Sequence, residues 1–512
     1  MSTNFPALSI KQFLGIGVLF FLFISFCTVG LGALVSHPSG VSMLMGAAGV
    51  VGLGVIIGVI AKRKGRKWAA NDSAIHWYLV LALAFWAVVQ LLHSIDLFDS
   101  ELRSVGYTFK NVLGSVIVTC MGADIFFKWT YRQITLPPYQ RKLLLLTLLF
   151  PGYVAISMLL TNSLNLPLLL MYLMWGLYSF VFLPVLFAQR QTWLFALKVI
   201  WGALWIVLAG GILYGLSNGI LYWQGWTNRM SFVFGVIPFG FALEVTACVA
   251  LVWFENTASS RVRVFLLATY ALALLLAILA IQRSSIVFMI VLLLIYGVAK
   301  AFHQYRYVLV PIILVICALV GLNYMNLAEL NLEDVNDISS GRLTLLSNQI
   351  ENNVKDFSSL MFGSTGFTTG THVSMIERPE VVKVFQRKVA DNSYLALIFS
   401  HGLIGLLLFL APLIYLTKLL IDEERFGSQW GRRMAQLALC SIVALAVQGM
   451  FVLTIPTMGN TVAICLPLFW LPALACAIAD KEVLSAAVHH RISAPVRAAK
   501  HNIPVMPTSF RN

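Results

Sequence analysis

Three short stretches carry the residue types from which a reaction centre could be built. Arg283 lies in Ala280-Ile281-Gln282-Arg283-Ser284-Ser285, a polar break almost too short to be a loop between two apolar runs. A guanidinium at that boundary either snorkels to water or has been placed there to meet an anion. Arg342 lies in Gly341-Arg342-Leu343, ahead of a stretch whose apolar residues recur at helical spacing as far as Leu360. It is followed by Phe362-Gly363-Ser364-Thr365-Gly366-Phe367, where Gly363 and Gly366 permit positive φ. Such a turn can aim backbone N–H groups at an anion, but without the lysine of a P-loop it equally describes a surface turn. The third stretch is Asp391-Asn392-Ser393-Tyr394, which offers a carboxylate base or an ordinary helix N-cap. His372 is a second base in the same region, and His401 fits a core histidine as well as a ligand or base.

What must position these residues is a membrane. Of 512 residues 59% are hydrophobic and 11% charged, with a mean hydropathy of +0.86, a balance that excludes an ordinary soluble domain. Apolar runs long enough to cross a bilayer recur from Phe13 to Ala479, about fourteen in all. Their extents are 13–35, 40–61, 75–95, 111–127, 143–160, 166–188, 194–216, 232–254, 264–282, 284–302, 307–323, 394–417, 435–454 and 461–479. The first run follows a lone Lys11 and has full membrane length, so it reads as a retained anchor rather than a cleaved leader. All seven cysteines fall inside these runs and read as small core hydrophobes.

The net charge of +14 does not point to nucleic acid, because its placement is topological. Lys62 to Lys67, Lys128 to Lys142, Arg190, Arg261 with Arg263, Lys300 with Arg306, and Lys418 to Arg433 each follow an even-numbered run. The positive-inside rule then puts every basic break and both termini in the cytoplasm. The odd-numbered breaks face outward and are short, save residues 324–393, which have soluble composition. The expected organisation is therefore an all-α integral membrane protein: helices over 1–323, one large outer loop over 324–393, further helices over 394–479, and a basic disordered tail over 480–512. Asp124 and Glu244 are the clearest acidic residues within the runs.

Together, Arg283 in Gln-Arg-Ser-Ser, Arg342, the Gly363-to-Phe367 turn and Asp391-Asn392-Ser393-Tyr394-Leu395 through Gly402 and Gly405 resemble the conserved core of the O-antigen ligase and O-antigen polymerase superfamily. The resemblance covers roughly Ala280 to Leu420. It departs at two places: Ser-Arg-Gly is reduced to Arg-Ser-Ser, and a position that is often His in the ligases is Asp391, which tilts the resemblance toward polymerases.

What the resemblance implies is a GT-C-like glycosyltransferase of a bacterial inner membrane, with a periplasmic active face. It would use an undecaprenyl-pyrophosphate-linked glycan donor, invert the anomeric carbon and need no metal or cofactor. Arg283 and Arg342 would hold the pyrophosphate and Asp391 would take the proton of the attacking hydroxyl. Gly363, Gly366, His372, Asn392 and Tyr394 would contact substrate. A chain-length regulator and a flippase would be its partners, and nucleic acid would not. A ligase acting on lipid A core and a lipid-linked oligosaccharide transporter are the alternative expectations.

Overall fold

The structure is a computed structural model that describes residues 72–92, 110, 113–114, 116–122, 124–125, 137–160, 166–217, 223–224, 229–230, 233–280, 282–301, 357–363, 393–449, 461–470 and 472–478. The expected spans at 13–35, 40–61 and 307–323, most of the 324–393 segment and the tail lie outside these residues. So do Arg342, Gly366, His372, Asp391 and Asn392.

The described chain is helical except for one two-residue antiparallel pair, β1 (Trp223–Gln224) with β2 (Arg229–Met230), in register Trp223 to Met230. The helices are α1 (Asp72–Leu92), α2 (Pro138–Leu160), α3 (Leu166–Leu177), α4 (Leu183–Leu186), α5 (Arg190–Ser217), α6 (Val236–Asn256), α7 (Ser260–Leu279) and α8 (Arg283–Ala301). They continue as α9 (Phe357–Phe362), α10 (Ser393–Phe426), α11 (Gln429–Gln448) and α12 (Thr461–Cys465). Among the described residues, eight helical segments are long and apolar enough to cross a membrane. The chain is thus an α-helical, multi-pass membrane protein. Helix α10 runs to Phe426, well past the expected end of its span at 417, so Lys418 to Arg425 continue a helix instead of opening a loop.

Helix α6 and the span Thr461–Ile478 form the centre. Their side chains are almost all buried, including Phe239, Leu243, Leu466 and Trp470. Helices α2, α5 and α7 lie outside, and their outward residues are apolar: Leu160 is 80% exposed, Ile206 75% and Val264 67%. A surface of that kind is stable against lipid tails and unstable against water. Cys248, Cys440, Cys465 and Cys476 are buried and form no disulfide among the described residues, as expected of core thiols.

The ends of the helices sort by charge. Arg190 stacks on Trp430 and donates to Asn256, which also accepts from the Trp430 indole. Lys198 lies over Trp253, Arg263 over Phe254, and Lys142 over Tyr415. Glu255 pairs with Lys300 at 2.6 Å, accepts from the Tyr296 hydroxyl, and faces Arg433 at 4.0 Å. These basic residues therefore meet at one face of the bundle, and α6, α8 and α11 are clamped together there by a carboxylate between two cations.

Inside the bundle, prolines break the helical ladder. Pro467 and Pro472 carry no N–H, so the carbonyls four residues earlier, on Ala463 and Leu468, lose their helical donors. In hydrocarbon such groups must find another partner. Trp175 Nε1 donates to the Ala463 carbonyl at 3.2 Å and Trp193 Nε1 to the Leu468 carbonyl at 2.6 Å. Between them, the Tyr178 hydroxyl donates to the Ile464 carbonyl at 2.7 Å. Tyr178 itself opens a π-helical turn, Tyr178–Phe182, closed by the Leu183 N–H bonding back to the Tyr178 carbonyl. Pro184 follows at once and cannot supply the ordinary bond to Phe180.

Trp193→Phe should lower unfolding stability by roughly 1–3 kcal/mol, because it leaves the Leu468 carbonyl unpaired in a dry interior. In a Pro472→Ala background the new N–H can restore the ladder bond, so the same change should cost clearly less. Thermal unfolding of the four proteins in detergent gives the coupling, and equal costs in both backgrounds would show that the indole is not replacing the missing donor.

Candidate functional site

The segment before α10 meets the bundle at a break in α10. Gly402, with φ 70° and ψ −179°, interrupts that helix in a conformation confined to glycine. Opposite it sits Gly363, φ 79°, at the end of α9. Each glycine occupies the space the other's side chain would need. A Cβ at Gly363 would lie 2.6 Å from the Gly402 and His401 nitrogens and the Ser400 carbonyl, and one at Gly402 would run into the Met361 carbonyl. The two backbones are therefore in direct contact. Tyr153, from α2, bridges the residues that precede the two glycines: its hydroxyl lies 3.0 Å from the His401 carbonyl and 3.3 Å from the Phe362 carbonyl, a shared donation to both.

His401 lies beneath this contact. It is 5% exposed, its Nε2 is 3.2 Å from the Tyr172 hydroxyl, and Phe150 and Tyr172 meet its ring edge-on. Gly405 completes the pocket, since a Cβ there would collide with the His401 side chain. His401 is thus the hydrogen-bonded core histidine of the two readings open from sequence, and the Gly402-x-x-Gly405 spacing serves close packing. The φ of Gly363 is likewise accounted for by its contact with Gly402.

At the other end of this helix, Ser393 N donates to the Gly449 carbonyl at 2.8 Å and the Tyr394 hydroxyl to the Ala446 carbonyl at 2.7 Å. A Cβ at Gly449 would lie 3.3 Å from the Tyr394 ring, a tight contact that the glycine avoids. The first turn of α10 is thereby fixed to the last turn of α11, and the Tyr394 hydroxyl is engaged within the protein.

Arg283 is the first residue of α8 and is exposed, whereas its neighbours Gln282, Ser284 and Ser285 are 7%, 6% and 0% exposed. Gln282 Nε2 donates to Ser284 Oγ at 3.2 Å. Both Gln282 and Ser285 pack on Gly240 of α6, where any side chain would collide with them. One turn further along α6, Glu244 accepts a 2.5 Å bond from Gln448 Nε2 of α11 and lies beside Ser285.

These contacts tie the N-terminal ends of α8 and α10 to one another through the C-terminal end of α11. Arg283 and Tyr394 consequently belong to the same end of the bundle, opposite the basic clamp. Gly363 does not share it: nine residues of helix separate Ser393 from Gly402, so the Gly363 contact lies about 14 Å along α10. Sequence reasoning singled out Arg283, Gly363 and Tyr394 but missed Tyr153, Ser285 and Gln448. Two of the three carried a usable signal, since polar residues within apolar spans are rare and face the bundle interior. Tyr153 carried none.

Gly402→Ala and Gly363→Ala should each destabilise the protein by about 1–3 kcal/mol from backbone strain alone, and Tyr153→Phe by about 0.5–1.5 kcal/mol. Thermal unfolding in detergent tests the order, and a Gly402→Ala protein as stable as wild type would contradict the interlock.

No protein-family model matches the chain, and no curated protein matches it either.

Proposed function

We propose that this protein is a bacterial inner-membrane glycosyltransferase that polymerises undecaprenyl-pyrophosphate-linked repeat units of O-antigen or exopolysaccharide. The observation that supports the reading best is the convergence just described. Arg283 opens α8, and α10, the helix that Asp391 and Asn392 lead into, begins at the same end of the bundle, joined through Gln448 and Gly449. In the topology that accompanies it there are about fourteen spans, both termini and the basic breaks are cytoplasmic, and residues 324–393 are periplasmic.

In the reaction, an acceptor sugar hydroxyl attacks the anomeric carbon of the donor from the face opposite the pyrophosphate. The new glycosidic C–O bond forms as the bond to the phosphate oxygen breaks, which inverts the anomeric centre. Asp391 accepts the hydroxyl proton, a contribution of roughly 10²–10⁴ in rate for a well-placed base. Undecaprenyl pyrophosphate leaves with growing negative charge, which Arg283 and Arg342 bind through charge-assisted forks worth roughly 1.5–3 kcal/mol per bond. Two guanidinium groups can offset that charge without a divalent ion.

A transporter of lipid-linked oligosaccharide is the second reading, and one observation favours it: Glu244 is a buried carboxyl inside a span, a feature common in transport pathways. A ligase differs from the polymerase only in its acceptor.

Replacing the native gene by Arg283→Ala, Arg342→Ala or Asp391→Asn, with membrane abundance checked, should abolish long glycan on gels while single repeat units still reach the surface. A loss of about 10²-fold or more in polymer is expected for Asp391→Asn. Long polymer held on the lipid carrier would instead identify a ligase. Repeat units accumulating on the cytoplasmic leaflet would identify a transporter and overturn this assignment of the site.

A further inference from the structure

Helices α6, α8 and α11 are joined at two levels. At the basic face Glu255 is set between Lys300 and Arg433. At the other level the same three helices meet at Glu244, Ser285 and Gln448, each 0% exposed. Here no ion pair forms among the described residues. Gln448 Nε2 donates to Glu244 Oε1 at 2.5 Å, but Glu244 Oε2 and Gln448 Oε1 are buried without a hydrogen-bond partner, and Ser285 Oγ lies beside the same carboxyl.

Among the described residues, the cations of the surrounding helices lie elsewhere. Arg190, Lys198, Arg263, Lys300 and Arg433 gather around Trp253 to Asn256, about 14 Å along α6 from Glu244. Arg283 stands at the exposed start of α8, two residues before Ser285. The other titratable groups on the surrounding helices are thiols and a phenol: the Cys248 thiol one turn along α6, the Tyr270 hydroxyl of α7 donating to the Met289 carbonyl, and the thiols of Cys440 and Cys465. An isolated carboxylate in such surroundings takes up a proton instead of remaining charged.

The geometry points to an intramembrane proton-binding site made of Glu244, Gln448 and Ser285, in which the bound proton sits on Glu244 Oε2. The neutral carboxyl donates to Gln448 Oε1 and so closes a two-bond acid–amide ring, of which the Nε2-to-Oε1 bond is the first half. Ser285 Oγ lies against the same carboxyl as an alternative acceptor. No bond other than O–H forms or breaks. Ser285 is two residues into the helix that Arg283 opens, so the carboxyl that holds the proton stands beside the first turn of α8. The site does not depend on the glycosyltransferase reading.

Infrared difference spectra of the purified full chain in nanodiscs, wild type minus Glu244→Gln at neutral pH, test this directly. The expected result is a protonated-carboxyl C=O band in the wild type that vanishes in Glu244→Gln and moves to higher frequency in Gln448→Leu, where its hydrogen bond is lost. The amide in Glu244→Gln can make the same pair of bonds, so that variant should keep the wild-type melting temperature. If Gln448→Leu does not fold, Ser285→Ala and the isotope shift of the wild-type band in heavy water serve in its place. Loss of carboxylate bands in place of the C=O band would overturn the proposal. A melting temperature that sodium raises in wild type but not in Glu244→Gln would overturn it too, and would make the cluster a metal site.

Discussion

The constraint on which the rest of this fold depends is that backbone polar groups inside a lipid-embedded bundle have no water to fall back on. Several helices here are broken within their apolar lengths, at Pro184, Gly402, Pro467 and Pro472. Each break frees a carbonyl or turns one aside. The chain answers with aromatic donors: Trp175, Tyr178 and Trp193 cap three carbonyls between Ala463 and Leu468, and Tyr153 takes the two carbonyls beside the glycine pair. These side chains suit the task because each couples a large apolar body to one donor at its rim. The centre of the bundle is thus organised by directional bonds, since burial alone cannot drive helices together where lipid is as apolar as they are.

The α6, α8 and α11 triad shows the same logic with side chains. Glu255, Lys300, Tyr296 and Arg433 close it at the basic face, and Glu244, Gln448 and Ser285 close it near the other. The two closures differ in charge because they differ in solvent. Lys300 is 55% exposed and Arg433 48%, so their charges remain partly hydrated while pairing with Glu255. The level of Glu244 is dry, and there an amide and a hydroxyl replace the cations.

Much of the architecture was legible from the sequence because two signals, apolar run length and the clustering of Lys and Arg, are imposed by the bilayer itself. The runs from 143 to 302 correspond to helices of nearly the expected bounds, and their basic ends do meet at one face. The site was less legible. The positive φ of Gly363 could be anticipated, but a glycine demanded by an anion and one demanded by a neighbouring backbone look alike in a sequence. Only the contact with Gly402, thirty-nine positions later, separates them. Pro467 and Pro472 announce broken ladders, yet nothing in the chain announces that Trp175 and Trp193 will repair them. Partners so distant in sequence follow from packing, which run length and charge placement do not encode.

Arg283 is a cation at the first position of α8. A cation at a helix N-terminus opposes the helix dipole, at about 0.3–1 kcal/mol, while Lys300 at the other end of the same helix is aligned with it. Helix α8 therefore begins with two sources of positive potential, the positive end of its dipole and the guanidinium, beside residues that pack on Gly240. An anion brought to this end of the bundle would meet both. If the proposed glycosyl transfer takes place there, both would act most strongly where negative charge accumulates on a departing pyrophosphate, so stabilisation would grow along the reaction coordinate rather than being spent on binding the donor.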